Sequence, residues 1–241
     1  TDMERAYKPY TKPIDLDLVD FSGYNQPFHP TVIYVPGGFN GYKYWMSATP
    51  LPMVAKPYPE KWEVPVVYKS NDRINWITVK NPLDDLTAAE ITNTDYMSDP
   101  HIVYRQDTLT LEVWYRLTTK LGGGTTSTQI LRKTTTDGIN WTAREVMVTG
   151  AVNAGAYHMQ SPAVLWDDVN KVYKLWYYNS TGTYYNTFAD GGIYNPNTQQ
   201  RLTFDELVLS HHIDVNYYNG EYHFIGYHAG TPNKLIHYTS P

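Results

Sequence analysis

The sequence predicts an all-β fold, a β-propeller of the five-bladed type made of four-stranded antiparallel sheets, with four blades visible and the last one incomplete. Short aromatic-rich runs with alternating polarity fill the chain, turn-forming residues separate them, and one pattern of anchor residues recurs. The chain has 241 residues and 23 tyrosines, and aromatic residues are enriched in strands. Four strands per repeat are typical of propeller blades.

The recurring pattern begins with a proline that opens a short apolar run ending in an aromatic residue. Three stretches share it: "FHPTVIY", "SDPHIVY" and "QSPAVLW". A tryptophan in the next strand follows each, at Trp45, Trp114 and Trp176. A fourth copy has Ile213 at the proline position and Tyr217 at the aromatic position. We expect the aromatic residues and the tryptophans to pack between blades, and the opening motifs to face one mouth of the central axis.

Two later stretches, "VVYKSNDRINWIT" and "ILRKTTTDGINWT", complete a blade with a tight hairpin. Asp-Gly is a strong hairpin signal, and we interpret Asp72 and Asp137 as structural turn residues. The predicted organisation is an N-terminal linker and lead-in strand over residues 1–27 and a propeller domain over 28–241. A fifth blade beyond the chain end, or closure of the ring by "IDLDLVDF", stays open.

Composition excludes several classes of function. The net charge of -5 argues against a nucleic-acid partner, which would need a basic surface. The chain has no cysteine, so disulfides and thiolate metal sites are absent. No apolar run is long enough to predict membrane insertion.

The opening motifs and the "DGINW" hairpin resemble the five-bladed propeller of family 43 glycoside hydrolases and their relatives, from Phe28 to the end of the chain. Related propellers also occur as receptor-binding modules on tails of phages that infect Gram-positive bacteria. The resemblance implies a set of three carboxylates from successive blades. In the hydrolases these are an Asp base, an Asp that positions the acid and a Glu general acid. The paired carboxylates act on one glycosidic bond, one ionised and the other protonated.

The chain departs from that pattern at two of the three positions. The first-blade slot holds His29, the second keeps Asp99, and the third holds Gln160. An amide cannot protonate a leaving group, so we assign no catalytic residue. Displaced acids at Asp95, Asp214 or Glu221 remain the alternative.

The candidate ligand-binding residues are polar side chains expected near one mouth of the axis. They are His29, Asp99, His101, His158, Gln160, His212 and Asp214. They offer donors and acceptors suited to hydroxyl and acetamido groups. The histidines lack metal-motif spacing, so we predict no metal site and no cofactor, while the central channel leaves room for a cation such as calcium.

The leading hypothesis is therefore a carbohydrate-binding propeller, a phage tail receptor-binding module that recognises a cell-surface glycan such as teichoic acid. Its expected location is the virion tail, as a homotrimer within a larger tail assembly. The first alternative is an active glycoside hydrolase of the family 43-like clan, secreted outside the cell. The second is a structural propeller in a tail or surface assembly.

Overall fold

A computed structural model of the chain shows an all-β propeller whose antiparallel sheets are arranged as successive blades. The structure describes residues 15–20, 25, 27–50, 63–79, 95–123, 125–150, 159–179, 181–192, 194–204, 212–227 and 235–241. No helix in these ranges is long and apolar enough to cross a membrane.

Fifteen strands form three four-stranded sheets and one three-stranded sheet in the described part of the chain. The first blade contains β1 (Pro27–Phe39), β2 (Tyr42–Pro50), β3 (Val66–Ser70) and β4 (Ile77–Thr78). The second contains β5 (Asp95–Arg105), β6 (Thr110–Gly122), β7 (Thr125–Thr135) and β8 (Glu145–Thr149). The third contains β9 (Gln160–Asp167), β10 (Val172–Asn179), β11 (Gly182–Ala189) and β12 (Gln200–Arg201), and the fourth contains β13 (Ile213–Tyr218), β14 (Glu221–Tyr227) and β15 (Leu235–Ser240).

The first strand of each blade lines the central channel. β1 contacts β5, β5 contacts β9, and β9 contacts β13, whereas the later strands of each blade pair outward in order. The first and fourth blades meet through the rings of His29 and His212, whose centroids are 3.7 Å apart. The propeller class is thus confirmed, and four blades are seen in the described residues.

The core lies between neighbouring blades, where the repeated tryptophans were expected. Trp45 is fully buried against residues of the second blade, and Trp114 is fully buried against the third. Trp176 packs with Val215 and Phe224 of the fourth blade. Burial of a large apolar side chain contributes roughly 1.5–3 kcal/mol, so these contacts hold the blades together.

The lead-in segment covers a face of the first blade. Leu16 and Leu18 pack with Tyr68 in a cluster of their own, and the Tyr68 hydroxyl donates to the Leu18 carbonyl at 3.3 Å. Part of "IDLDLVDF" therefore stabilises the first blade. A fifth blade, which the sequence left open, is not seen among the described residues.

The two repeated hairpins have the same hydrogen-bonded turn. Asp137 accepts the backbone N–H groups of Ile139 and Asn140, both at 2.8 Å, and Asp72 makes the matching contacts in the first blade. The Asn75 side-chain amide and then the backbone N–H groups hold the pKa of Asp72 below its usual range, and the backbone N–H and side-chain amide of Asn140 do the same for Asp137. The structural interpretation of Asp72 and Asp137 agrees with this geometry.

Gly138, in the second-blade hairpin, gives the first testable prediction. Its φ is 68°, and an added Cβ would lie 2.6 Å from the Trp45 ring. Arg73, at the matching place in the first blade, also has a φ of 68°. A residue with a side chain can therefore adopt this backbone conformation, and the contact with Trp45 is the main obstacle to a side chain at position 138. We expect Gly138→Ala to lower the free energy of unfolding by about 2–4 kcal/mol, combining left-handed strain with overpacking.

Urea unfolding of Gly138→Ala beside Gly220→Ala separates the two causes. Gly220 has a φ of 86° and open space around its Cβ position, so its replacement should cost only about 1–2 kcal/mol. Equal losses in both variants would contradict a role for the Trp45 contact.

Candidate functional site

The site begins with a bulge at the motif proline in three of the innermost strands. Strand pairing shifts register between Phe28 and Thr31, between Ser98 and His101, and beside the start of β9. Proline cannot donate to a ladder, which favours a bulge there. The residues immediately before the prolines share a left-handed backbone, with φ of 51° at His29, 52° at Asp99 and 48° at Ser161.

Three non-glycine residues in this conformation at matching positions represent local strain of about 1–3 kcal/mol each. Such strain is often found where side chains are aimed at a function. Here it places His29, Asp99 and Ser161 at one mouth of the channel, where contacts between blades join them to one another and to His212.

Asp99 is the central charge of this mouth. Its side chain is only 4% exposed. Its Oδ2 lies 3.3 Å from Nη2 of Arg116 and accepts the backbone N–H of Ser161 at 3.1 Å. Burial alone would raise the pKa of Asp99, but the Arg116 guanidinium, His29 and the Ser161 amide outweigh it and hold the pKa well below its usual range. Asp99 is therefore ionised at neutral pH.

The other carboxylate oxygen faces the histidines. Oδ1 of Asp99 lies 3.3 Å from Nδ1 of His29. That nitrogen is buried and has no hydrogen bond of good geometry among the described residues. The ring of the exposed His212 lies against the His29 ring at a tilt of 31°, and its Nδ1 lies 3.1 Å from the Ser161 hydroxyl oxygen.

His29, Asp99 and His212 together have the geometry of a candidate metal site. One ligand atom from each lies within 4.8 Å of the others. Tetrahedral ligands about 2.1 Å from a metal lie about 3.4 Å from one another, close to the Asp99–His29 separation. Two imidazoles and a carboxylate suit a divalent transition metal. The sequence predicted no metal site, but the structure brings together three side chains that could hold a metal ion.

A hydrogen bond between His101 and Asp214 crosses the channel. His101 is 5% exposed. Its Nδ1 accepts the backbone N–H of Val164 at 3.3 Å, so its Nε2 donates to Oδ1 of Asp214 at 3.1 Å. These two hydrogen bonds of His101 join the second, third and fourth blades, and they engage both of its ring nitrogens within the protein.

The remaining sequence candidates lie at other places in the fold or outside the described residues. Gln160 is buried at the start of β9, one residue before the bulge position, which Ser161 occupies. Glu221 is exposed at the hairpin that starts β14. His158 and the side chain of Asp95 lie outside the described residues.

Sequence reasoning missed Arg116 and the role of Ser161. Arg116 lies on β6, and its side chain also donates to the Ser98 hydroxyl at 2.7 Å. No local motif marks this arginine, because it meets Asp99 only through the pairing of β5 with β6. The signal for Ser161 was present in the sequence, because Ser161 precedes the motif proline as His29 and Asp99 do.

Comparison with known proteins supports the fold. No protein-family model matches the sequence. A segment of 183 residues, 66% of the chain, is 23% identical to the A type blood N-acetyl-α-D-galactosamine deacetylase of Flavonifractor plautii and spans 23% of that protein's length.

Solved structures show the same similarity at low identity. An N-acetylgalactosamine deacetylase from F. plautii, in complex with blood group B trisaccharide, has a TM-score of 0.77 at 18% identity, over 95% of this chain and 71% of that one. A family 43 β-1,3-galactosidase has a TM-score of 0.58 at 16% identity, over 92% and 75% of the two chains. The structural neighbours are thus propellers of the family 43 type, and at these identities the likeness establishes the fold.

Proposed function

We propose that this propeller acts on a cell-surface glycan at the His29–Asp99–His212 mouth and removes the acetyl group of an N-acetylated sugar with the help of a divalent metal ion. The observation that carries the proposal is the meeting of these three side chains within 4.8 Å. The likeness to an N-acetylgalactosamine deacetylase, at a TM-score of 0.77, supports the choice of substrate class.

The residues fit a metal on their own chemistry. Asp99 is held ionised, and Nδ1 of His29 lies 3.3 Å from its Oδ1 in a contact of poor hydrogen-bond geometry. Two Lewis bases at this distance need a proton or a cation between them. His29, Asp99 and His212 would bind the ion. A divalent ion bound there would supply Lewis-acid polarisation of the amide carbonyl and would lower the pKa of a bound water.

The chain's own groups orient this cluster. Arg116 and the Ser161 amide both contact Oδ2 of Asp99, which leaves Oδ1 directed towards His29. The Ser161 hydroxyl fixes the His212 ring, as an outer partner does for a metal-binding histidine. His29 is 31% exposed and His212 is exposed, so a glycan can reach the cluster from solvent.

Metal removal is the direct test. Acetate release from methyl N-acetyl-α-galactosaminide is expected to fall to background after dialysis against a chelator and to return with added manganese, cobalt or zinc. His29→Ala and His212→Ala should each lower the bound metal, measured by mass spectrometry, by at least about tenfold. His237→Ala, at an exposed position on β15, is the matched control. Full acetate release from protein free of metal would contradict the proposal.

Glycan binding without catalysis is the second candidate function. The residues at the positions that correspond to the catalytic carboxylates of the hydrolases favour it. Asp99 is ionised, and the third slot holds the amide Gln160 or the hydroxyl of Ser161. These groups do not provide the protonated carboxylic acid that a two-carboxylate glycosidase needs.

In this second case we propose a receptor-binding module on a phage tail, working as a homotrimer that gains avidity from repeated copies. The purified chain should then adsorb to Gram-positive cells and to isolated wall teichoic acid, and Asp99→Ala should weaken that adsorption. Equal retention by cells stripped of teichoic acid would contradict it.

A further inference from the structure

A separate cavity is lined in part by His101 and by none of His29, Asp99 and His212. Its volume is about 620 Å³, within the range of small-molecule sites. It is lined by the later parts of the four innermost strands, whereas His29, Asp99 and Ser161 lie at the bulges near the start of those strands. The ring of His101 contributes to its wall.

The motif aromatics meet in this cavity. Each blade contributes one, and the four are Tyr34, Tyr104, Trp166 and Tyr217. Our expectation that these residues pack between blades is wrong for Tyr34 and Tyr217, which are 50% and 57% exposed. The repeat therefore places an aromatic ring from every blade around one opening.

Two of the four rings are engaged in packing. The Arg105 guanidinium lies 3.7 Å from the centre of the Trp166 ring. The Tyr104 ring packs against Phe39 at 5.6 Å. These contacts form a firm inner wall.

The other two rings are braced on one side and exposed to solvent. Tyr34 rests against Tyr44 at 5.1 Å, and Tyr217 rests against Tyr222 at 4.7 Å. A braced tyrosine loses little side-chain entropy when a ligand stacks on it. Asn216 and Gln106 add amide groups to the lining, and the described residues that line it include no lysine or arginine.

We propose that this cavity is a second carbohydrate site, which binds a neutral pyranose ring by stacking on Tyr34 and Tyr217. The ring C–H face of a pyranoside suits an aromatic surface, and its hydroxyls suit amide and phenol groups. The site is separate from the His29–Asp99–His212 cluster and needs no metal. It would hold a glycan independently of the cluster.

Saturation-transfer NMR with the methyl glycosides of galactose, glucose and mannose tests the proposal. At least one glycoside is expected to bind to the protein after dialysis against a chelator as it does before, because the cavity lining does not include the cluster residues. Tyr34→Ala and Tyr217→Ala should each weaken that binding about tenfold or more. Tyr218→Ala is the matched control, since Tyr218 is 45% exposed on the same strand but does not line the cavity.

Three results would overturn the second site. The first is that none of the three glycosides binds. The second is that binding disappears after chelation. The third is that folded Tyr34→Ala and Tyr217→Ala bind as the unchanged chain does. Failure of deacetylation alone leaves the expected binding result unchanged, so the two proposals fail separately.

Discussion

Replacing Asp99 by Asn is expected to abolish metal-dependent deacetylation. The change removes the only carboxylate of the His29–Asp99–His212 cluster, and loss of even an outer partner of a metal ligand typically costs 10–100-fold in affinity. We therefore expect bound metal to fall by at least about 100-fold, with acetate release at background. Asp167→Asn, at the last residue of β9, is the control and should retain both.

The same substitution should also destabilise the fold, because Arg116 is buried beside Asp99. Breaking a buried pair by removing one charge costs about 3–5 kcal/mol. The pKa of Asp99 is lower in the folded protein than in the unfolded chain. Its contribution to the free energy of unfolding is therefore fully present above the ordinary pKa near 3.9 and is lost progressively as the pH falls below that value. The difference in unfolding free energy between the two proteins should be largest at neutral pH and shrink below about pH 4. A difference that stays constant from pH 7 to pH 3 would contradict this assignment.

Replacing Glu112 by Ala is expected to cause the largest loss of stability outside the site. Glu112 is 1% exposed between the second and third blades. It accepts the Trp114 indole N–H at 2.8 Å and the Tyr173 hydroxyl at 2.7 Å, and Nη1 of Arg132 lies 3.6 Å away. Burial raises the pKa of Glu112 in spite of the nearby arginines. Without it, two buried donors lose their acceptor, and we expect about 3–5 kcal/mol less stability in urea unfolding.

Glu145→Ala is the matched control for this network. Glu145 also pairs with Arg132, at 2.6 Å, but its side chain is 52% exposed. Exposed ion pairs contribute about 0–1 kcal/mol. Equal losses from the two substitutions would show that the buried hydrogen bonds of Glu112 do not hold the second and third blades together.

The motif prolines and the aromatic repeat were sufficient to predict the blades, because strand pairing and turn chemistry are local. Trp45, Trp114 and Trp176 were correctly expected in the core, since a regular anchor in a second strand has to face the neighbouring sheet. The hairpin at Asp137 and Gly138 followed from Asp-Gly alone. The sequence also singled out His29, Asp99 and His212, although as hydrogen-bonding groups.

Only the tertiary structure decided what those residues form together. His29, Asp99 and His212 come from three blades, and no spacing along the chain predicts that their ligand atoms approach within 4.8 Å. Arg116 reaches Asp99 through strand pairing, and Tyr34 and Tyr217 meet one cavity because the ring brings distant strands to a common axis. The sequence by itself determined the repeating blade and the residue types at its start. The closure of blades around the axis decided which of them became neighbours, because contacts across a propeller channel join residues far apart in the chain.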